Sequence, residues 1–393
     1  IKTLSNFESP NYITRATNTA LHLANSYVTI PPSKIVCLKL SETQQAMNLP
    51  EIFTSPDSFR SAFEKGLDRQ LDEDALGTYI LVLANALFDQ HIFIKLKDRL
   101  QDKYERKKQD YVRSLQQGKP LHDAPDDMLV FLKLIAMGFD NLRSTEYRQT
   151  SNWLLQFNQL RSLRPQRMSG AAVTSLMQEF YDNAFHFNKP FLNKEIFWSG
   201  DVDGVPVKLL YNKFPFAALH GLLVPEPADN LPQFLNADMH HFASTLCHQL
   251  GKNIPDIAVA YNGNGAGASI NHLHFQTFTI QQAIPVMSSQ WQHNGGSTPY
   301  PAHCKVFESA VAAWHYINEL HQHNITYNLV YLPDKIICLP RPFQGSYETP
   351  QWTENVAWYE LCGGVTTFNQ NDFQQLTDQD ISAALSNLHL AID

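Results

Sequence analysis

The chain has no Cys-x-x-Cys pair. Its five cysteines, Cys37, Cys247, Cys304, Cys338 and Cys362, are scattered and odd in number. That spacing argues against a zinc knuckle, a dithiol redox centre or a disulfide framework, and leaves reduced core residues, which favour the cytoplasm. Basic charge is also short: 30 Lys and Arg against 38 Asp and Glu give a net charge of -8. A general nucleic-acid binder, whose affinity rests on clustered cations, is thereby excluded, while a local basic pocket is not. No run reaches the ~20 apolar residues needed to span a bilayer. The longest, 76–88, is interrupted by Gly77, Thr78 and Asn85 and reads as a buried helix. The first residue is Ile1 rather than Met, which leaves open a removed leader or tag and a secreted or host-directed destination.

What is present is globular: 44% hydrophobic and 17% charged residues over 393 positions, enough for two or three domains. Phe59, Phe63 and Leu67, then Leu96, Leu100 and Tyr104, then Tyr111 and Leu115 recur at spacing four, which predicts helices up to about residue 114, closed by Gly118 and Pro120. A further helix is expected over 126–140. Acidic and basic residues alternate through 98–110, the pattern of a solvated helix face rather than of a partner surface. Short apolar pieces at 27–30 and 35–40 read as strands or ordered coil. Residues 1–150 are thus expected to form a mainly helical appendage that restricts substrate access or engages a protein partner. Beyond Phe197 the pattern turns to strands and hairpins, interrupted by helices at about 238–250 and 306–321. His240, His241 and His248, and likewise His315, His321 and His323, have no evident carboxylate companion, so no metal or cofactor is expected there.

Residues 262–276 read NGNGAGASINHLHFQ. In an extended strand His272, His274 and Gln276 would project together while Leu273, Phe275 and Thr277 point the other way. The preceding turn, with Gly263, Gly265 and Gly267 among Asn262, Asn264 and Ser269, can take positive φ and bring backbone N–H groups to an anion. A neutral imidazole is nucleophilic near pH 7, and its phosphorylated form can be displaced by a second nucleophile. Two other readings fit the same residues. Imidazoles at spacing two can ligate zinc, although a third ligand would have to come from far along the chain, and both histidines could be hydrogen-bonded residues of a half-buried strand.

With its Asn-Gly turn, Gly-x-Ser step and His-x-His-x-Gln ending, the segment resembles the histidine-triad superfamily, and SINHLHFQ is most similar to the GDP-hexose phosphorylases of its transferase branch. NKFPFAALHGLLVP at 212–225 is similar to the superfamily's preceding hairpin, with Asn212, Pro215 and His220 in matching places and Leu219 where a glycine is usual. FNQLRSLRPQRM at 157–168 and FHFNK at 185–189 resemble the basic nucleotide-side segment and the FNF stretch of the GDP-hexose phosphorylases. NITYNLVYLPDKIICLPRP at 324–342 is similar to the later hairpin, and the tail from Glu360 echoes the closing segment. The resemblance covers residues 151–393.

The resemblance implies an α+β fold: a histidine-triad-like antiparallel sheet with flanking helices over 151–393, preceded by the helical region 1–150. It makes His274 the nucleophile that takes a nucleoside monophosphoryl group, with His272 shaping and polarising the pocket. Gln276 would donate to a phosphoryl oxygen; an amide cannot deliver a proton to a leaving group, which favours transfer over hydrolysis. Asn262, Gly263, Gly267 and Ser269 would bind the phosphates. Arg161, Arg164 and Arg167 could clamp a departing phosphate or the acceptor, or form a solvated basic turn. Asn212 could hold a base or ribose, or cap a turn. The expected reaction is nucleotidyl transfer from a nucleoside diphosphate sugar, GDP-hexose first, to phosphate or a sugar phosphate, with no cofactor. Dinucleoside polyphosphate phosphorolysis or nucleotide hydrolysis shares the same nucleophile. A nucleotide-binding regulator acting through the helical region is the reading from another class.

Overall fold

The structure, a computed structural model, describes residues 47–164, 173–353, 355–390 and 392. The apolar pieces at 27–30 and 35–40, Cys37 and Arg167 lie outside the described residues. Ser55 opens the first helix, α1 (Pro56–Gln70): its hydroxyl accepts the Ser58 N–H at 3.0 Å, and Pro56 occupies a first-turn position that needs no donor. Helix α2 (Leu76–Phe88) has every residue but Gly77 buried, as its near-continuous apolar sequence requires. Asp89 caps α3 (Gln90–Gln116), and α4 (Pro125–Met137) stops three residues earlier than expected because Gly138 takes φ +84°. The mixed-charge face of α3 is solvated on one side only. Lys103 is buried, and its ammonium donates to the Leu71 carbonyl at 2.7 Å and to the Glu73 carbonyl, closing the end of α1.

Strands β1 (Glu146–Gln149) and β2 (Leu154–Phe157) follow, then the short helix α5 (Gln159–Ser162). The main sheet is built from β3 (Ile196–Val202), β4 (Val205–Tyr211), β5 (Ala218–Pro225), β6 (Ile257–Asn262), β7 (Phe275–Thr279), β8 (Lys305–Phe307), β9 (Thr326–Tyr331) and β10 (Ile336–Arg341). Its order is β3-β4-β5-β7-β6-β9-β10-β8, and every pairing is antiparallel. Helices α6 (Ala237–Asn253) and α7 (Ala310–Gln322) interrupt it. The latter begins later than the sequence suggested, because 305–307 pair with β10 instead. Helix α8 (Trp358–Leu361), strand β11 (Gly364–Thr367) and helices α9 (Gln370–Gln375) and α10 (Asp378–Ser386) close the chain, β11 running parallel to β2 in a second, three-stranded sheet.

Alternation along the strands sends two sets of side chains to two cores. Val259, Tyr261, Leu273, Phe275, Leu329 and Tyr331 face α6, α7 and the N-terminal helices. Ala258, Ala260, Phe278, Val330 and Leu339 face the small sheet and Trp153, Trp291 and Trp358. The N-terminal helices share the first core rather than standing apart. Phe63 packs edge-on against Phe197 and Tyr211 at 5.3 and 4.8 Å, and the Tyr211 hydroxyl donates to the Phe63 carbonyl at 2.6 Å. A Cβ at Gly66 would lie 2.0 Å from that hydroxyl, so glycine is what lets α1 approach β4 so closely. The change near residue 150 is one of secondary structure, not a break in packing.

Candidate active site

The polar strip lies on the second face of the sheet, at the junction of β5, β7 and β6. Strand β7 begins only at Phe275, so His272 and His274 precede the strand rather than standing on it. Pairing fails there because the side chain of Gln233 takes the place of a neighbouring strand. Its Oε1 accepts the His274 N–H at 2.9 Å, and its Nε2 donates to the carbonyls of Asn262 and His274 at 2.8 and 3.2 Å. The Leu273 N–H donates to the Leu231 carbonyl at 2.7 Å. Leu273 and Phe275 enter the helical core, as alternation required.

These contacts fix the protonation of each ring. The Nδ1–H of His274 donates to the His272 carbonyl at 2.8 Å, so the proton is on Nδ1 and Nε2 keeps its lone pair. Among the described residues that nitrogen has no hydrogen-bond partner. Burial pushes the His274 pKa down to about 4, which keeps the ring neutral at pH 7. In His272 the order is reversed. Its Nδ1 accepts the Phe187 N–H at 3.1 Å, placing the proton on Nε2, which is buried without a partner among the described residues. Burial first, then the neighbouring His274, His186 and Lys208, which disfavour a second positive charge, lower its pKa to about 4 as well.

Gln276 is oriented just as firmly. Its Oε1 accepts the Trp358 indole N–H at 2.7 Å and the His220 Nε2–H at 3.1 Å, so its NH₂ is turned away from both donors. The other nitrogen of His220 accepts the Phe216 N–H at 3.4 Å, and burial lowers the pKa of this ring to about 3. An amide held in this way offers donors and no proton.

The other expected residues are distributed around this strip. Gly265 and Gly267 take φ of +77° and +91°, whereas Gly263 does not, and its N–H donates to the Tyr327 carbonyl at 3.0 Å. The N–H groups of Gly267, Ala268 and Ser269 find no acceptor among the described residues, and the Ser269 side chain is exposed. Asn262 is a tie: its Oδ1 accepts the Trp358 N–H at 3.1 Å and the Asn328 amide at 2.6 Å, joining β6, β9 and α8. Asn212 Oδ1 accepts the Phe214 N–H at 3.1 Å, and its amide lies 3.3 Å from His220 Nε2, so it both caps its turn and touches the strip. Arg161 donates to the Phe214 carbonyl at 2.5 Å with its guanidinium 5.0 Å from the Phe216 ring, while Arg164 lies over Phe368. The FHFNK stretch does reach the histidines, Phe187 sitting 5.0 Å from His274 and 5.6 Å from His272 between ring centres. Sequence reasoning missed Gln233 and Trp358, which lie 41 and 82 residues from the groups they hold. No local pattern marks either one. No group of three or more His, Cys, Asp and Glu suited to a metal occurs among the described residues.

Residues 148–278, which include every expected site residue from Arg161 to Gln276, match the family described as GDPGP1-like, N-terminal domain. GDP-D-glucose phosphorylase 1 of Bos taurus is 31% identical over 35% of this chain and 36% of its own length. GDP-L-galactose phosphorylase 2 of Arabidopsis thaliana is 28% identical over 34% and 35%. The matched part therefore spans little more than a third of these relatives. Among solved structures, the yeast Ap4A phosphorylase Apa2 is similar at a TM-score of 0.44 and 17% identity, over 69% of this chain and 96% of that one. The segment from 148 to 278 is similar to the GDPGP1-like N-terminal domain, and the resemblance to the GDP-hexose phosphorylases drawn from SINHLHFQ extends across it.

Proposed function

We propose that the chain is a nucleotidyltransferase that phosphorolyses a nucleoside diphosphate hexose, GDP-hexose first, through a covalent nucleotidyl intermediate on His274. The observation that carries this reading is the unprotonated Nε2 of His274, without a hydrogen-bond partner among the described residues and with the ring proton held at Nδ1 by the His272 carbonyl. The lone pair of Nε2 attacks the α-phosphorus, and the bond from that phosphorus to the bridging oxygen breaks. The bonding electrons leave with the hexose 1-phosphate. An oxygen of inorganic phosphate then attacks the same phosphorus, the P–N bond breaks, and its electron pair returns to Nε2, releasing the nucleoside diphosphate.

Neutral donors surround the path of these steps. The His272 Nε2–H, the Gln276 NH₂ and the amides of Gly267 to Ser269 can meet non-bridging oxygens whose charge grows as the phosphorus is displaced. Hexose 1-phosphate is a good leaving group at neutral pH, so no proton need be delivered and an amide at 276 suffices. The names of the relatives, GDP-D-glucose and GDP-L-galactose phosphorylases, support this substrate class.

Labelled GDP-hexose, incubated without phosphate, is expected to leave an acid-labile nucleotide on the protein that phosphate then discharges. His274→Asn should abolish it, with a loss of turnover of at least about a thousandfold, since a nucleophile is removed outright. An adduct from dinucleoside polyphosphates and none from GDP-hexose would assign the dinucleotide reading instead. Nucleotide binding with neither adduct nor turnover would favour the regulator.

A further inference from the structure

Helix α8 lies beyond the matched residues 148–278, yet it forms one wall of the histidine strip. Its short turn is closed locally. Glu360 Oε2 accepts the Ala357 N–H at 3.1 Å, and Gly363, at φ +85°, follows it where a Cβ would meet the Trp153 ring at 2.6 Å. A Cβ at Gly267 would stand 2.9 Å from that of Ala357, so a glycine in the phosphate turn is what lets the closing segment come this close. Trp358 then reaches two site residues at once. Its backbone N–H donates to Asn262 Oδ1 at 3.1 Å and its indole N–H to Gln276 Oε1 at 2.7 Å, while its buried ring stacks on Phe278 at 4.5 Å.

What these contacts remove from the site is acceptors. The Nδ1 of His272 is taken by the Phe187 N–H, the Nδ1 of His220 by the Phe216 N–H, Asn262 Oδ1 by Trp358 and Asn328, and Gln276 Oε1 by Trp358 and His220. Among these side chains the Nε2 of His274 is the lone pair that stays open, and a bound nucleotide consumes it. The strip then shows donors. Inorganic phosphate arrives as an anion and is met by donors, whereas water needs an acceptor that orients it and draws off its proton.

We propose that Trp358 is a positioning residue that decides how the intermediate is discharged: by holding the Gln276 oxygen out of the site it keeps the strip free of acceptors, so that phosphate and not water attacks. Without the indole N–H, Gln276 is tied only by the His220 Nε2–H at 3.1 Å, and its amide can turn its oxygen towards the phosphorus. A water oriented there attacks, the P–N bond breaks with its electron pair returning to Nε2, and one proton of the water passes to solvent. The nucleoside monophosphate leaves in place of the diphosphate.

The inference rests on the covalent reading above, and its test separates the two. The adduct formed from labelled GDP-hexose is isolated on the full chain and on Trp358→Phe, Gln276→Met and the double variant, with circular dichroism confirming the fold, and its discharge is followed in the presence of phosphate. Trp358→Phe is expected to raise the ratio of GMP to GDP by about tenfold, whereas in the Gln276→Met background, where no amide remains to turn, the same substitution should leave the ratio unchanged. An unchanged ratio in Trp358→Phe, or an equal shift in both backgrounds, overturns the inference while the adduct stands. In a protein that forms no adduct, GDP affinity by calorimetry reads the same cycle. An oxygen turned towards a phosphate should weaken GDP by about threefold in Trp358→Phe and no further in Gln276→Met, which would keep Trp358 as the residue that aims Gln276 and sink the covalent reading. Equal losses in both backgrounds would end both.

Discussion

The N-terminal helices and the 177–191 segment put their apolar residues to opposite uses. Nearly all of α2 disappears into the core, and Phe59, Phe63 and Leu67 of α1 do the same. The 177–191 segment has almost no regular structure until 190 and leaves four large apolar side chains in solvent, while its Phe187 packs against both histidines. Where burial is the purpose, apolar residues fall at regular spacing and vanish on folding, each contributing roughly 1.5–3 kcal/mol when fully buried. In the 177–191 segment they lie without period and stay exposed. The helices also reach the hairpin that carries His220. In the otherwise apolar α2, the Asn85 amide donates to the Asn212 carbonyl at 3.0 Å, and Lys213 pairs with Asp127 of α4 at 2.6 Å. The hairpin carrying His220 is therefore held from the helical side.

Acid should test this contrast with the largest effect. Burial lowers the pKa of His220 to about 3 and of His240, His272, His274 and His321 to about 4; none of these five lies in α1–α4. A folded pKa below the unfolded value of about 6.5 means that the unfolded chain takes up protons first. The stability due to each neutral ring is complete above pH 6.5 and is lost as pH falls towards the folded pKa, by roughly 2 kcal/mol per ring at pH 5. Such a sum is of the same order as a typical domain's stability. Unfolding between pH 6 and 4 is expected, with helix and near-ultraviolet signals lost together because one core joins them. A helical signal that persists after the tertiary signal has gone would show that the helices stand on their own. The transfer proposed for His274 should be lost over the same range, with the fold.

An effect of intermediate size is expected at Asn85→Leu. The branched shape is kept, but the half-buried Asn212 carbonyl loses its donor, which costs about 1 kcal/mol or more. If the helices position the hairpin, adduct formation should slow by about tenfold in the variant at temperatures where it is fully folded. Unchanged rates with lowered stability would reduce the helices to packing alone. Denaturant melts read beside single-turnover rates separate the two outcomes.

How much of this was legible followed from distance along the chain. The bounds of α2 could be read because an apolar run of that length leaves no other place for it. The histidine segment could be read because rare residue types stood at tight spacing after a glycine turn. The failure of β7 to reach His272 could not, because Gln233 stands in for the missing strand through a side chain 41 residues away. Nor could Trp358, 82 residues beyond Gln276, be assigned to its amide. Asn262 illustrates the same limit from within the motif. Its position in the glycine turn suggested phosphate, and its Oδ1 turned out to tie three elements together.

Leu219 gives the smallest and sharpest comparison. It stands where the resembling hairpins have glycine, and in the structure it takes a left-handed φ of +48° at the irregularity between Ala218 and Gly221 where β5 slips against β7. The leucine thus bears left-handed strain of about 1–2 kcal/mol while its side chain is buried in the helical core, a gain of about 2–3 kcal/mol. The chain has used a site of backbone necessity as a site of packing. Leu219→Gly should relieve the first and forfeit the second, for a net loss near 1 kcal/mol by denaturant melting. Leu223→Ala, four residues on in the same strand and the same core, relieves no strain and should cost the ordinary 2–5 kcal/mol. Equal losses at the two positions would mean that the bend at 219 carries no strain and that the turn next to His220 is set by its packing instead.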